Sequence, residues 1–90
     1  MTREKLTDAA ETLQDAADAA TDDDVRERLE NQSDAFAELA EAARGPDHGT
    51  LARHEHILTE VAADADSDVT THVEDALESI RAFRETVEGV

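Results

Sequence analysis

Apolar residues recur along the chain at alternating intervals of four and three, in four separate segments. This spacing places each set on one face of an α-helix, as a helical bundle requires. No stretch alternates with a period of two, so no strand is predicted. The pattern predicts an all-α protein. The predicted seam positions, which include one glutamine and one histidine, are Leu6, Ala10, Leu13, Ala17 and Ala20; Val25, Leu29, Gln32, Phe36, Leu39 and Ala43; Leu51, His54, Leu58, Val61 and Ala65; and Val69, Val73, Ala76, Ile80, Phe83 and Val87.

Residues typical of helix ends lie between these segments. Gly45 and Pro46 are predicted to end the second helix, with the glycine at the position that tolerates left-handed geometry. Asp47 or Thr50 can begin the third helix, because a short polar side chain accepts from free backbone N–H groups there. The other predicted helix ends are Thr2, TDDD at 21–24, DSD at 66–68 and Gly89.

The chain also resembles itself at a shift of 44 residues, since Asp24-Val25 then falls on Asp68-Val69. We therefore expect an antiparallel four-helix bundle built from two similar αα-hairpins in one domain, 1–90. The hairpins span about 3–44 and 50–88, and the GPDHG turn at 45–49 joins them. Any two hairpins with heptad spacing would align in this way, and the predicted architecture is the same in either case.

Charge is the strongest feature of the composition: 24 acidic residues face eight basic ones, for a formal net charge of −16. Only 17 of the 90 residues are Leu, Ile, Val or Phe, a composition typical of disorder. The helical period of those residues and the 17 alanines favour folded helices instead. Seven of the eight basic residues are arginine, and this scarcity of lysine together with the excess acid predicts a halophilic protein adapted to a salt-filled cytoplasm.

The remaining composition predicts a cytoplasmic protein without enzymatic activity. The chain has no cysteine, no apolar run that could span a membrane and no stretch resembling a signal peptide. Its basic residues are scattered, which argues against direct nucleic-acid binding. No glycine-rich phosphate loop and no recognisable nucleophile are present, so no catalytic residue and no cofactor are predicted.

Three of the four histidines, His48, His54 and His56, lie within nine residues. His54 and His56 point to opposite sides of a helix, so they cannot hold one metal ion together. His54 falls on the core seam and is predicted to be a neutral, hydrogen-bonded core residue that does not pair with Gln32. The weak candidates for a metal site are His48, Asp47 and His56.

Ile57 and Leu77 lie beside the seam, and we expect them to form an outward patch that a second copy buries. The alternative is that the bundle is slightly rotated and that both residues belong to the core. The leading functional hypothesis is a homodimeric protein–protein interaction or structural module with an unknown protein partner. The alternative function is metal or small-ligand binding by the histidines of the 45–56 turn and helix start.

The segments TDDDVRERLE, GPDHGTLARHE and RETVEGV, taken together, carry a resemblance over essentially the whole chain. The sequence resembles a family of short, acidic, all-helical, uncharacterised proteins from haloarchaea. That resemblance implies adaptation to salt, and it implies no activity.

Overall fold

The computed structural model describes residues 3–87, which form four α-helices and no strand. The helices are α1 (Glu4–Ala19), α2 (Asp23–Glu41), α3 (His48–Asp64) and α4 (Ser67–Arg84). α1 packs against α2 and α4, and α3 packs against the same two helices from the opposite corner of the bundle. The predicted all-α four-helix bundle is therefore confirmed.

Three of the four helices begin at an aspartate. The carboxylates of Asp22, Asp47 and Asp66 accept the backbone N–H three residues further on, at 3.0, 2.8 and 3.1 Å. Each carboxylate also lies at the positive end of its helix dipole. α1 differs, since its N-cap residue Arg3 makes no side-chain cap bond. The predicted ends Thr2 and Gly89 lie outside the described residues.

The second helix ends earlier than its sequence pattern predicts. Ala42 leaves α2 in an extended conformation, and Ala43 is exposed rather than buried. No glycine in residues 3–87 has a positive φ, so Gly45 does not use the left-handed conformation that its position tolerates. The physical reason lies in Arg3, whose Nη1 donates to the carbonyls of Leu39 and Ala42. That guanidinium satisfies carbonyls that a left-handed glycine would otherwise help to satisfy.

The buried core is wider than the predicted seam. Most seam residues are buried, while the exposed Ala43 and the partly buried Leu39, His54, Ala65 and Val87 are the exceptions. Each helix contacts two neighbours, so residues directly beside the seam are also covered. The buried residues that the seam did not include are Ala9, Ala16, Ser33, Pro46 and Leu77.

α1 makes the most extensive close approaches in the bundle, to α2 and to α4, whereas α3 approaches α2 least extensively. Alanines cause this difference, because a side chain of one carbon lets two backbones come close. Ser33 Oγ on α2 even donates to the backbone carbonyl of Ala10 on α1, at 2.8 Å. The alanine-rich first helix therefore packs closely against both of its neighbours.

The two halves of the bundle match at the predicted interval. α1 and α2 begin at Glu4 and Asp23, and α3 and α4 begin 44 residues later at His48 and Ser67. α3 therefore includes the last two residues of the GPDHG segment. Across the described range, none of the four helices combines the length and the apolarity that a membrane span requires.

Candidate functional site

The three metal-ligand candidates near the start of α3 are each engaged elsewhere. Asp47 accepts the backbone N–H of Thr50 as the N-cap of α3, and this bond lowers the pKa of the Asp47 carboxyl. His48 Nδ1 accepts from Arg84 Nε at 3.2 Å. His56 is exposed, and its Nε2 lies 3.3 Å from the Glu60 carboxylate.

These side chains do not converge on one point. Across residues 3–87, no three histidine and acidic side chains are placed so that they could hold one metal ion. The metal hypothesis for His48, Asp47 and His56 therefore gains no geometric support and stays a prediction.

A polar network fastens the start of α3 to the end of α4. The Glu55 side chain is only 14% exposed and accepts from Arg84 Nη1 at 2.9 Å and from Arg81 Nε at 3.4 Å. Arg84 Nε also donates to His48, so one guanidinium holds two residues of α3. Charge-assisted bonds of this kind fix the position of both partners. His48 is thus part of a structural link between two helices.

His54 pairs with Gln32, contrary to the prediction from the sequence. Its Nδ1 lies 2.9 Å from Gln32 Oε1, and because a carbonyl oxygen only accepts, Nδ1 carries the proton. By position along the two hairpins, Gln32 falls nearer Leu13 and Val61 than His54. The six-residue connection at 42–47 instead sets the register of α2 and α3, and the long glutamine side chain reaches across the seam. The prediction that His54 and Gln32 stay apart was wrong.

The rest of the environment of His54 agrees with its prediction as a neutral, hydrogen-bonded residue. Its ring packs against Phe36, with 5.1 Å between the ring centroids. Burial lowers the pKa of His54, and the nearby positive charge of Arg53 lowers it further. The residue is partly exposed rather than fully buried, since it lies at the edge of the core between α2 and α3.

The predicted interface pair divides between core and surface. Leu77 is 5% exposed and belongs to the core, so its assignment to an outward patch is wrong. The buried side of α4 is wider than the predicted seam, so it covers Leu77 as well as its neighbour Ala76. Ile57 is only partly buried and packs against the edge of the core.

Ile57 lies on the side of α3 that faces α2. It follows His54 by three residues and precedes Asp64 by seven, and both of those residues contact α2, through Gln32 and Arg28. Leu39 lies seven residues after Gln32, on the same side of α2, and is also partly buried. We call the surface formed by Arg28, Asn31, Ala35, Glu38, Leu39, Thr50, Arg53, Ile57, Glu60 and Asp64 the α2–α3 face.

The α2–α3 face is the one place where sequence reasoning missed a candidate. Leu39 was assigned to the seam, and its period gives no hint that α2 ends two residues later at Glu41. The early end leaves Leu39 at the rim of the core. The only sign of this early helix end in the sequence is the segment that follows Leu39, AEAARG at 40–45, which contains no large apolar residue.

Comparison with known proteins gives one match. No curated protein and no solved structure matches this chain. A family model described as a family of unknown function (DUF7553) matches residues 1–86. Because that match covers nearly the whole length, the chain belongs to this family of unknown function.

Proposed function

We propose that this protein is a non-enzymatic interaction module that works as a homodimer, with the α2–α3 face as its dimer surface. One observation carries the proposal. In residues 3–87, every Leu, Ile, Val and Phe side chain is buried except Leu39, Ile57 and Val87. Two of these three lie on the α2–α3 face, beside the least extensive helix contact of the bundle.

The energy of such an interface is modest. Full burial of one large aliphatic side chain contributes about 1.5–3 kcal/mol. Leu39 and Ile57 are already partly buried, so each contributes about half of that when a second copy covers it. Four side chains in the dimer then contribute about 4 kcal/mol, which offsets only the lower end of the cost of association, about 4–15 kcal/mol. The proposed dimer is therefore weak and depends on protein concentration.

The proposal includes a salt-rich cytoplasm as the working environment. Two copies that each carry a net charge of −16 repel each other strongly in dilute buffer. At about 1 M salt the Debye length is about 3 Å, so the repulsion between distant charges is largely screened. Apolar contact on the α2–α3 face can then dominate. The single lysine among eight basic residues fits the same environment.

The test is the replacement Ile57→Glu, which places a charge at the centre of the proposed surface. We expect light scattering at about 2 M salt, a regime of short Debye length, to show a dimer for the wild type and a monomer for the variant. Helical circular dichroism should be unchanged, because Ile57 is only partly buried.

The matched control is Ala63→Glu, an exposed alanine of the same helix that lies away from the α2–α3 face. It adds the same charge and should leave the dimer intact. Leu77→Glu is unsuitable, because Leu77 lies in the core and its replacement would unfold the bundle. A wild-type protein that stays monomeric at every concentration, or an Ile57→Glu variant that stays dimeric, contradicts the proposal.

A further inference from the structure

Charges on α3 are arranged symmetrically around Ile57. Arg53 and Glu60 lie four residues before it and three residues after it, on one stripe of the helix. Both side chains are exposed. In the described part of the chain Arg53 makes no side-chain hydrogen bond or ion pair, and Glu60 contacts only the exposed His56. Within its own chain, the positive charge of Arg53 acts through space on the Asp47 carboxyl, whose pKa it helps to lower.

The part of α2 on the same face carries a similar arrangement. Arg28 and Glu38 lie five residues to either side of position 33, with Asn31 and Ala35 between them. A positive and a negative charge at equal distances from a midpoint complement their own copy after a half-turn about that midpoint. Such self-complementarity is what a twofold interface requires.

The two midpoints lie at nearly the same height in the bundle. The Gln32–His54 bond and the Arg28–Asp64 ion pair, at 2.9 and 3.2 Å, fix the register of α2 and α3. With a rise of about 1.5 Å per residue, these two contacts place the midpoint of α2 within about 5 Å of the midpoint of α3, displaced in opposite directions. One axis can therefore pass through both midpoints.

We infer that a second copy of this chain packs on the α2–α3 face about a twofold axis that crosses α2 and α3 near position 33 and Ile57. Each α3 then runs antiparallel to α3 of the second copy. Ile57 meets its own copy at the axis, and Arg53 lies opposite Glu60 of the second copy. Arg28 lies opposite Glu38 in the same way. This inference rests on the homodimer proposed above and specifies its symmetry and its charge pairs.

The arrangement excludes a different twofold dimer that would use the same face. An axis parallel to the bundle would place α3 of one copy against α2 of the other, with Arg53 close to Glu38. The antiparallel axis pairs Arg53 with Glu60 instead. The two arrangements therefore differ in which acidic residue responds to a change at Arg53.

Charge reversal tests the pairing. Arg53→Glu and Glu60→Arg each turn two attractive contacts of the dimer into two repulsive ones, so each should raise the dimer Kd by about tenfold or more. The double variant restores opposite charges and the net charge of −16, so its Kd should return to within about threefold of wild type. Sedimentation equilibrium at moderate salt measures all of these constants, and circular dichroism checks that each variant is folded.

The controls separate this inference from the proposed function. Glu11→Arg makes the same charge change as Glu60→Arg on an exposed residue of α1 and should leave Kd nearly unchanged. A monomeric wild type overturns the homodimer and this arrangement together. A dimer that ignores both reversals, or in which Glu38→Arg rather than Glu60→Arg rescues Arg53→Glu, overturns the antiparallel arrangement and leaves the homodimer standing.

Discussion

α1 and α3 occupy opposite corners of the bundle, and they are held there by different means. α1 buries two leucines and four alanines, and it comes close to both of its neighbours. α3 buries only Leu51, Leu58 and Val61. Its edges are instead fastened by polar contacts, through His54 and Asp64 to α2 and through Glu55 to α4.

A helix that buries mostly small side chains can therefore be held firmly in the bundle. α1 gains packing because its alanines let the backbones approach, so many weak dispersion contacts form. α3 carries the larger residues, yet part of Ile57 remains uncovered. A helix held by hydrogen bonds and ion pairs along its edges keeps a surface that another molecule can cover. The α2–α3 face is such a surface.

Removal of salt should have the largest effect on the bundle, and it should loosen α3 before α1. Moving the protein from about 2 M to about 0.01 M salt lengthens the Debye length to about 30 Å, so a net charge of −16 repels itself across the whole bundle. We expect a large loss of helical circular dichroism. At intermediate salt, amide hydrogen exchange should rise in α3 before α1, because α3 has fewer buried apolar contacts. Ellipticity and melting temperature that do not change with salt contradict this expectation.

Replacement of an alanine by leucine should destabilise α1 more than α3. Ala16 of α1 has no exposed surface, so Ala16→Leu overpacks a closely packed contact and should cost about 1–3 kcal/mol. Ala63 of α3 is exposed, and Ala63→Leu should change the free energy of unfolding by less than about 0.5 kcal/mol. Denaturant titration at high salt measures both. Equal effects would show that α1 is not packed more tightly than α3.

The smallest expected effect is the pH dependence of folding stability that His54 contributes through α3. Burial, and then the charge of Arg53, lowers the folded-state pKa of this histidine below its unfolded value of about 6.5. The unfolded chain therefore binds the proton more readily, and the stability from this group is full above that value and falls as the pH drops through it. We expect a decrease in stability between about pH 7 and about pH 5.5, above the range in which most carboxylates titrate.

Two replacements isolate the contribution of His54. His54→Gln should abolish the decrease over this pH range, while His56→Gln, at an exposed position, should retain it. An NMR titration that places the pKa of His54 at or above about 6.5 contradicts the account, since it would mean that burial does not govern this residue.

Local features of the fold could be predicted from the sequence. The helix period and the capping aspartates Asp22 and Asp66 depend on residues within a few positions of each other, so the chain carries them explicitly. The end of α2 could not be predicted in this way. It depends on Arg3, which lies about 40 residues away in sequence and reaches the carbonyl of Ala42 only in the folded bundle.

The candidate site was predicted in part for the same reason. The position of Ile57 beside the seam is a local property, so the sequence predicts its partial exposure, and its role in an interface stays a prediction. Leu77 was misplaced because the width of the buried strip depends on how closely two neighbouring helices approach. The pairing of His54 with Gln32 depends on the relative height of α2 and α3. The connection at 42–47 determines that height, and the spacing of apolar residues within each helix does not.

The most direct test of the proposed dimer is an NMR measurement on a mixed sample at high salt, with equal amounts of isotope-labelled and unlabelled protein. Filtered spectra detect only contacts between different copies. The account predicts intermolecular contacts from the Ile57 methyl groups to Ile57 and its neighbours on α3 of the second copy. Spectra without intermolecular contacts, or with contacts only on the outer face of α1 and α4, would contradict the claim that the α2–α3 face is the dimer surface.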